Sequence, residues 1–132
     1  MTGRINKKDQ TKRSSCPMSC ALDMLGDKWT LLVIRDIMFL DKHYFGDFLT
    51  SPEKIASNIL SDRLKKLEEF NIILRQPDPG NARRVIYTLT EKGLDLLPAM
   101  MELLRWGAKH DPASKGHECS IQQLACNPRN SG

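Results

Sequence analysis

Four cysteines are the residues of this chain best suited to redox or metal chemistry. They are Cys16, Cys20, Cys119 and Cys126, and His117 lies just before the last two. Four thiols and an imidazole could ligate zinc, but neither pair has the tight spacing of the usual zinc motifs. We therefore predict no metal site and no cofactor. A thiol near the carboxyl end that resolves an oxidised Cys16 remains a second interpretation.

Cys16 is the thiol with the best physical case for reactivity. Pro17 favours the start of a helix directly after it, and Arg13 precedes it closely. A helix amino terminus and a nearby cation both favour the thiolate, which is the reactive form. Cys16 is thus the candidate redox-sensing residue. The alternative interpretation is a small buried apolar side chain without chemistry.

A second set of candidate residues lies on one helix predicted over residues 57–70. Leu60, Leu64 and Leu67 follow the spacing of a single buried face, and Ser57 is a natural N-cap. Short polar side chains near the amino terminus suit base edges in a major groove, and lysines further along suit phosphates. The candidate DNA-binding residues of this helix are Ser57, Asn58, Ser61, Asp62, Arg63, Lys65 and Lys66. The alternative is the solvated face of an ordinary surface helix.

A hairpin is predicted directly after this helix. Residues 72–76 form an apolar strand, residues 77–81 form a loop rich in Pro, Asp, Gly and Asn, and residues 83–89 alternate as a return strand. Arg83 and Arg84 then lie near the tip, where a wing meets the phosphate backbone or the minor groove. The alternative is a pair of charges that protects an edge strand.

Other helices must position these residues. Residues 45–49 predict a short helix that Ser51-Pro52 stops, and the following helix can fold back across it as a helix-turn-helix. Helix, helix and hairpin in this order indicate a mainly α fold with a small β-hairpin, a winged helix-turn-helix. Further helices are predicted over residues 17–26, 28–39 and, after Thr90 as N-cap, 91–109. The last has too wide an apolar surface for one small domain, so we expect a homodimer built from the first and last helices. A long core helix of a monomer is the alternative.

Composition indicates one small domain of 132 residues, 40% of them hydrophobic. We expect a basic, disordered arm over residues 1–15, a folded domain over residues 16–110 and a flexible tail over residues 111–132. The arm holds five basic residues and one acidic residue, which accounts for the whole net charge of +4. Without a membrane span or secretory signal, the cytoplasm is the expected compartment, where thiols stay reduced.

The ordered motifs between Cys16 and Gly107 resemble the HxlR family of bacterial winged helix-turn-helix regulators, relatives of the MarR type. The resemblance rests on Cys16-Pro17, Gly26-Asp-Lys-Trp29, Phe45-Gly-Asp-Phe-Leu49, Arg84-Val-Ile-Tyr-Thr-Leu-Thr90 and Trp106-Gly107. It implies a homodimer that binds operator DNA, mostly as a repressor and sometimes as an activator. It also implies that Cys16 holds the position of a redox or electrophile sensor. Tyr44 stands where the family usually has Arg, Lys54 where it usually has Gly, and Asn81-Ala-Arg-Arg-Val85 where the wing commonly ends in Pro-Pro-Arg-Val.

The expected function is therefore that of a DNA-binding transcriptional regulator whose homodimer recognises a palindromic operator. Its partners would be double-stranded DNA, a second copy of the chain and a small oxidant or electrophile. A thiol enzyme is disfavoured because no Cys-x-x-Cys pair, glycine-rich phosphate loop or Ser/His/Asp set is present, so no catalytic residue is predicted. A winged-helix adaptor that binds protein remains the alternative, because the charge of residues 16–132 is balanced.

Overall fold

The computed structural model describes residues 14–111 and residue 113, and it confirms the winged helix-turn-helix fold. The elements, in chain order, are α1 (Pro17–Leu25), α2 (Lys28–Phe39), α3 (Phe45–Phe48), α4 (Ser57–Glu69), β1 (Ile73–Asp78), β2 (Asn81–Leu89), α5 (Glu91–Leu94) and α6 (Leu97–His110). The predictions for the arm before residue 14, and for His117, Cys119 and Cys126, lie outside the described residues. No helix of the described part is long and apolar enough to cross a membrane.

The core is built where α2, α4 and the base of the hairpin meet. Leu60, Leu64 and Leu67 are almost fully buried, as their spacing along α4 predicts. Ile34 of α2 and Phe48 of α3 pack into the same cluster with no exposed side-chain surface. Because these apolar contacts fix α4 from behind, its opposite face is held outward.

Local hydrogen bonds determine where the helices begin, and they correct one predicted N-cap. Asp27 caps α2 by accepting the Thr30 N–H at 3.0 Å, and Thr90 caps α5 as predicted. Ser57 is not the N-cap of α4, contrary to the prediction. The Leu60 N–H donates to the Ala56 carbonyl at 2.9 Å, which makes Ala56 the cap and places Ser57 inside the first turn.

The terminal helix predicted over residues 91–109 is interrupted. The chain forms α5, turns at Asp95 and Leu96, and starts α6 at Leu97. Pro98 supplies the physical reason, because a proline has no N–H for a continuing helix and is tolerated only in a first turn. The two helices are therefore separate elements.

The hairpin is longer than predicted and its turn is tighter. Only Pro79 and Gly80 form the turn, since β1 continues through Pro77 to Asp78 and β2 begins at Asn81. Pro77 is tolerated because β1 is an edge strand, and the register shifts between Pro77 and Asp78. Arg83 and Arg84 are consequently the third and fourth residues of β2, a little behind the tip.

Candidate nucleic-acid interface

The outward face of α4 carries six exposed residues of the predicted set. They are Ser57, Asn58, Ser61, Asp62, Lys65 and Lys66. The first four lie in the amino-terminal half of the helix and have short polar side chains, whereas the two lysines lie behind them. Hydroxyl and amide groups can donate and accept hydrogen bonds at base edges, and lysine ammonium groups can pair with phosphates. The structure thus brings six predicted residues together on one surface.

Arg63 differs from these six residues because its charge is already paired within the protein. Its Nε lies 2.8 Å from Asp27 Oδ2, and its Nη1 lies 2.6 Å from Asp62 Oδ2. The hydrogen bond from Arg63 is the main cause that lowers the pKa of Asp27. Since Asp27 also caps α2, Arg63 links the start of α2 to the middle of α4.

A polar network holds the turn that leads into α4. The Arg35 guanidinium bonds both Glu53 carboxylate oxygens, at 2.7 and 2.9 Å, and also bonds Asp36. The buried Asp36 carboxylate accepts the Ser51 hydroxyl at 2.6 Å. Hydrogen bonds from Arg35 lower the pKa of Glu53. The network joins α2 to residues 51–53 and so fixes the direction from which the chain enters α4.

Lys54 adopts the left-handed backbone conformation within the same turn. Its φ is 59°, and its N–H donates to the Ser51 carbonyl at 3.0 Å. This region of backbone space favours glycine, because other residues place Cβ against their own carbonyl. The left-handed turn gives a physical reason for the glycine expected here from the family resemblance.

The two wing arginines lie where the pairing of the hairpin is irregular. Asn81 pairs with Asp78 and Val85 pairs with Pro77, so both arginines fall in the irregular stretch between these two pairs. Both side chains are exposed. The Arg84 guanidinium carbon lies 3.7 Å from the centre of the Tyr44 ring. The structure therefore gives the two arginines different surroundings.

Tyr44 is a candidate site residue that the sequence reasoning noted only as a departure from the family pattern. Its hydroxyl donates to Asp78 Oδ2 at 2.8 Å, while the Gly80 N–H donates to Asp78 Oδ1 at 3.0 Å. These two hydrogen bonds, the backbone one first, lower the pKa of Asp78. The available signal was an aromatic residue in a position where the family usually has Arg.

Cys16 lies where predicted, exposed and directly before the first turn of α1. Its N–H donates to the Ser14 hydroxyl at 3.2 Å, and the half-buried Cys20 thiol lies 3.7 Å from the Ser14 carbonyl. Among the described residues, no three His, Cys, Asp or Glu side chains group as metal ligands.

Large apolar side chains are exposed on the first and last helices. Met18 and Leu22 belong to α1, Leu94 to α5, and Leu97, Leu103 and Trp106 to α6. Trp106 is 66% exposed, and Leu103 is 55% exposed. Surfaces of this kind commonly mark contacts with other molecules.

Comparison with known proteins agrees with this fold. An uncharacterised HTH-type transcriptional regulator of Mycobacterium tuberculosis is 34% identical over 106 residues, which are 80% of this chain and 66% of that protein. The chain thus spans just under two thirds of this relative's length. The HTH-type transcriptional regulator YodB of Bacillus subtilis is 38% identical over 92 residues, 69% of this chain and 81% of YodB.

Solved structures show the same likeness. Reduced YodB has a TM-score of 0.59 at 33% identity, covering 76% of this chain and 98% of YodB. YodB structures also include diamide-treated and quinone-bound forms. The redox regulator HypR in its oxidised form has a TM-score of 0.64 at 28% identity, covering 72% of this chain and 97% of HypR. The HxlR-like helix-turn-helix family model matches residues 24–115, and the chain therefore belongs to this family of transcriptional regulators.

Proposed function

We propose that this chain is a sequence-specific DNA-binding regulator, acting mainly as a repressor, that reads its operator with α4 and grips the backbone with the wing. The observation that carries the proposal is the polar face of α4, held outward by three buried leucines on the opposite side. Membership of a helix-turn-helix regulator family supports the same conclusion. A regulator of transcription works beside chromosomal DNA, so the cytoplasm remains the proposed compartment.

Base recognition is assigned to the amino-terminal half of α4. Asn58 and Ser61 offer hydrogen bonds to base edges in the major groove, and the exposed Ser57 hydroxyl lies beside them. Asp62 can accept from a cytosine amino group, although its Oδ2 is shared with Arg63 and Lys66. Ala56 has no side-chain acceptor, so the first N–H groups of α4 retain partial positive charge suited to a phosphate.

Unspecific affinity is assigned to the cations around that face. Lys65 and Lys66 lie behind the base-reading residues, and Arg83 and Arg84 lie on the wing. Each phosphate contact releases counterions and gives affinity without sequence information. Arg63 is the predicted site residue with the least free charge, so its main contribution in the proposal is to hold α4.

A homodimer completes the proposed operator complex. The exposed apolar residues of α1, α5 and α6 offer a surface for a second copy. A two-fold dimer presents two α4 helices about one helical turn of DNA apart, which calls for a palindromic site. Such a dimer on a promoter would exclude other proteins from it, which is the basis of the proposed repression.

The binding proposal is tested by equilibrium titration of a labelled duplex from upstream of the protein's own gene, at several salt concentrations. Affinity should fall steeply with salt, and Arg84→Ala should weaken operator and random-sequence DNA alike and reduce the salt slope by about 1. Unchanged affinity for both duplexes would remove Arg84 from the mechanism. If the chain bound another protein but no DNA, and if salt changed that affinity little, a winged-helix adaptor would be favoured instead.

Cys16 is the proposed sensor of oxidants or electrophiles. Two Cys16 thiols, one from each protomer, would give up two protons and two electrons to an oxidant such as diamide and form a disulfide. A quinone would instead add to the thiolate through a new sulfur–carbon bond. The exposed position of Cys16 and the redox-related structures of YodB and HypR support this role.

The sensing proposal predicts that Cys16→Ser abolishes the oxidant response and leaves DNA binding of the reduced protein intact. Release of DNA by diamide or a quinone can be followed in the same titration, with Cys20→Ser as the matched control. A Cys16→Ser protein that still releases DNA on oxidation would assign the response to another thiol.

A further inference from the structure

Tyr44 connects the helix-turn-helix to both strands of the wing. It lies at the N-cap of α3, and its ring stacks under the guanidinium of Arg84 in β2. Its hydroxyl donates to Asp78, the last residue of β1, next to the turn. One aromatic side chain therefore contacts the wing close to its tip on either strand.

The contact with Arg84 orients the guanidinium without using its donors. Among residues 14–111 and 113, no hydrogen bond or ion pair engages the Arg84 guanidinium. A stacked guanidinium keeps its N–H groups at the edge of the plane, where they remain free for a phosphate. Arg84 is thus held in place and still available.

Asp78 is the carboxylate that could otherwise capture Arg84. Each of its oxygens already accepts one hydrogen bond, Oδ2 from the Tyr44 hydroxyl at 2.8 Å and Oδ1 from the Gly80 N–H at 3.0 Å, and these bonds hold the carboxylate beside the turn. An ion pair with Asp78 would use donors of Arg84 that could otherwise bind a phosphate. Tyr44 therefore influences Arg84 in two ways: its ring contacts the guanidinium directly, and its hydroxyl holds the carboxylate that competes for the guanidinium donors.

We propose that Tyr44 is a positioning residue of the wing, which holds the Arg84 guanidinium flat and keeps Asp78 from pairing with it, so that Arg84 meets DNA phosphate preorganised. The inference rests on the proposed DNA binding. A flexible arginine loses side-chain freedom when it binds, and prior ordering removes part of that cost. A cation–π stack at an exposed site corresponds to about a two- to five-fold change in affinity.

The test is a double-mutant cycle on DNA affinity. A labelled random-sequence duplex and a labelled duplex from upstream of the gene are titrated by fluorescence anisotropy with wild type, Tyr44→Leu, Arg84→Ala and the double variant. Tyr44→Leu should weaken binding about two- to five-fold and have no further effect once Arg84 is alanine. The matched control is Tyr44→Leu with Arg83→Ala, which should be additive because the cation–π contact of the Tyr44 ring is with Arg84.

If Tyr44→Leu fails to fold, a second variant is measured instead. Tyr44→Phe keeps the ring but frees one Asp78 oxygen, which should weaken binding roughly two-fold, and Asp78→Ala should restore it. Additive losses in the first cycle, or full affinity in Tyr44→Phe, would overturn the inference while DNA binding stands. Failure of folded wild type to bind either duplex would overturn the proposed function and this inference with it.

Discussion

At the scale of residues, Arg63 and Arg84 show how surroundings decide what a guanidinium can do. Arg63 is paired with Asp27 and Asp62 and is 22% exposed, so its charge serves the fold. Arg84 is stacked on Tyr44 and keeps its donors free. The sequence predicted both as DNA-binding residues because the two side chains have identical chemistry. Only their partners from distant parts of the chain distinguish them: Asp27 for Arg63 and Tyr44 for Arg84.

The Asp27–Arg63 pair predicts a specific dependence of stability on pH. Because the folded protein lowers the pKa of Asp27, this carboxylate stabilises the fold above its usual pKa of 3.8. That contribution is lost as the pH falls through the lower folded value. Asp27→Asn keeps a good N-cap residue and removes only the charge. We expect it to lower the free energy of unfolding at pH 6 and to differ less from wild type at pH 3.

Urea denaturation at the two pH values measures this difference. Asp95→Asn, an exposed carboxylate in the turn between α5 and α6, serves as a control. A gap between wild type and Asp27→Asn that stays constant from pH 6 to pH 3 would show that the charge of Asp27 contributes nothing through Arg63.

Lys54 predicts a stabilising substitution. Its φ of 59° costs a lysine more than a glycine, although glycine loses more freedom on folding. We expect Lys54→Gly to raise the free energy of unfolding by about 0.5–1 kcal/mol. Lys54→Ala keeps the strained backbone and removes the charge, so it should show no gain. Equal stability of all three proteins in urea would contradict the backbone explanation.

Residue-level prediction succeeded where a local pattern decides the outcome. The spacing of Leu60, Leu64 and Leu67 was enough to place the outward face of α4 correctly. It failed for the N-cap, because Ser57 and Ala56 differ by one residue and only the Leu60–Ala56 hydrogen bond sets the helix start. The contact of Tyr44 with Arg84 joins distant positions, and no local pattern encodes it.

At the scale of elements, α5 depends on a close approach to the start of β1. A Cβ at position 93 would clash with the Ile72 carbonyl oxygen and would lie 3.0 Å from Leu89 Cδ2. The backbone oxygen cannot move without shifting the strand. The connection from the wing to the last helices therefore requires glycine at this position.

Gly93→Ala should lower the free energy of unfolding by about 1–3 kcal/mol, the usual cost of overpacking. Gly46→Ala is the matched control, since a Cβ there meets nothing within 4 Å. That variant in α3 should be neutral or slightly more stable, because alanine favours helices. Thermal unfolding of both variants checks the prediction, and equal melting temperatures would contradict the close packing of α5.

Element order was predictable, and most errors lay at the ends of elements. The order of helices and strands, and the bounds of α2, follow from the spacing of apolar residues and from the residues that end helices. The break at Pro98 was readable from the sequence, since a proline inside a helical pattern marks a boundary. The long hairpin was not, because strand pairing through Pro77 depends on its edge position rather than on residue type.

At the scale of the whole molecule, the exposed apolar residues of α1, α5 and α6 carry the proposed dimer. A glutamate at the centre of an apolar interface loses hydration without gaining a partner. Trp106→Glu should therefore shift the mass in analytical ultracentrifugation from dimer to monomer. Leu74→Glu, at another exposed apolar position, which lies on the wing, should leave the dimer intact.

A wild-type protein that sediments as a monomer, or a Trp106→Glu protein that remains dimeric, would contradict the assignment of this surface to the dimer interface.

The sequence alone predicted a partner, because the last helix carries more apolar residues than one small domain can bury. It could not say which of them are covered within the chain. Met100 and Met101 are buried there, whereas Leu103 and Trp106 are exposed.

The most direct test of sequence-specific DNA binding is selection of bound sequences from a pool of duplexes with a randomised centre, at physiological salt. We expect wild type to enrich an inverted repeat whose half-sites are about 10–10.5 base pairs apart. Asn58→Ala with Ser61→Ala should relax the preference at bases within each half-site while unspecific affinity persists. A folded protein that enriches no sequence, or a variant that enriches the wild-type repeat unchanged, would contradict recognition by α4.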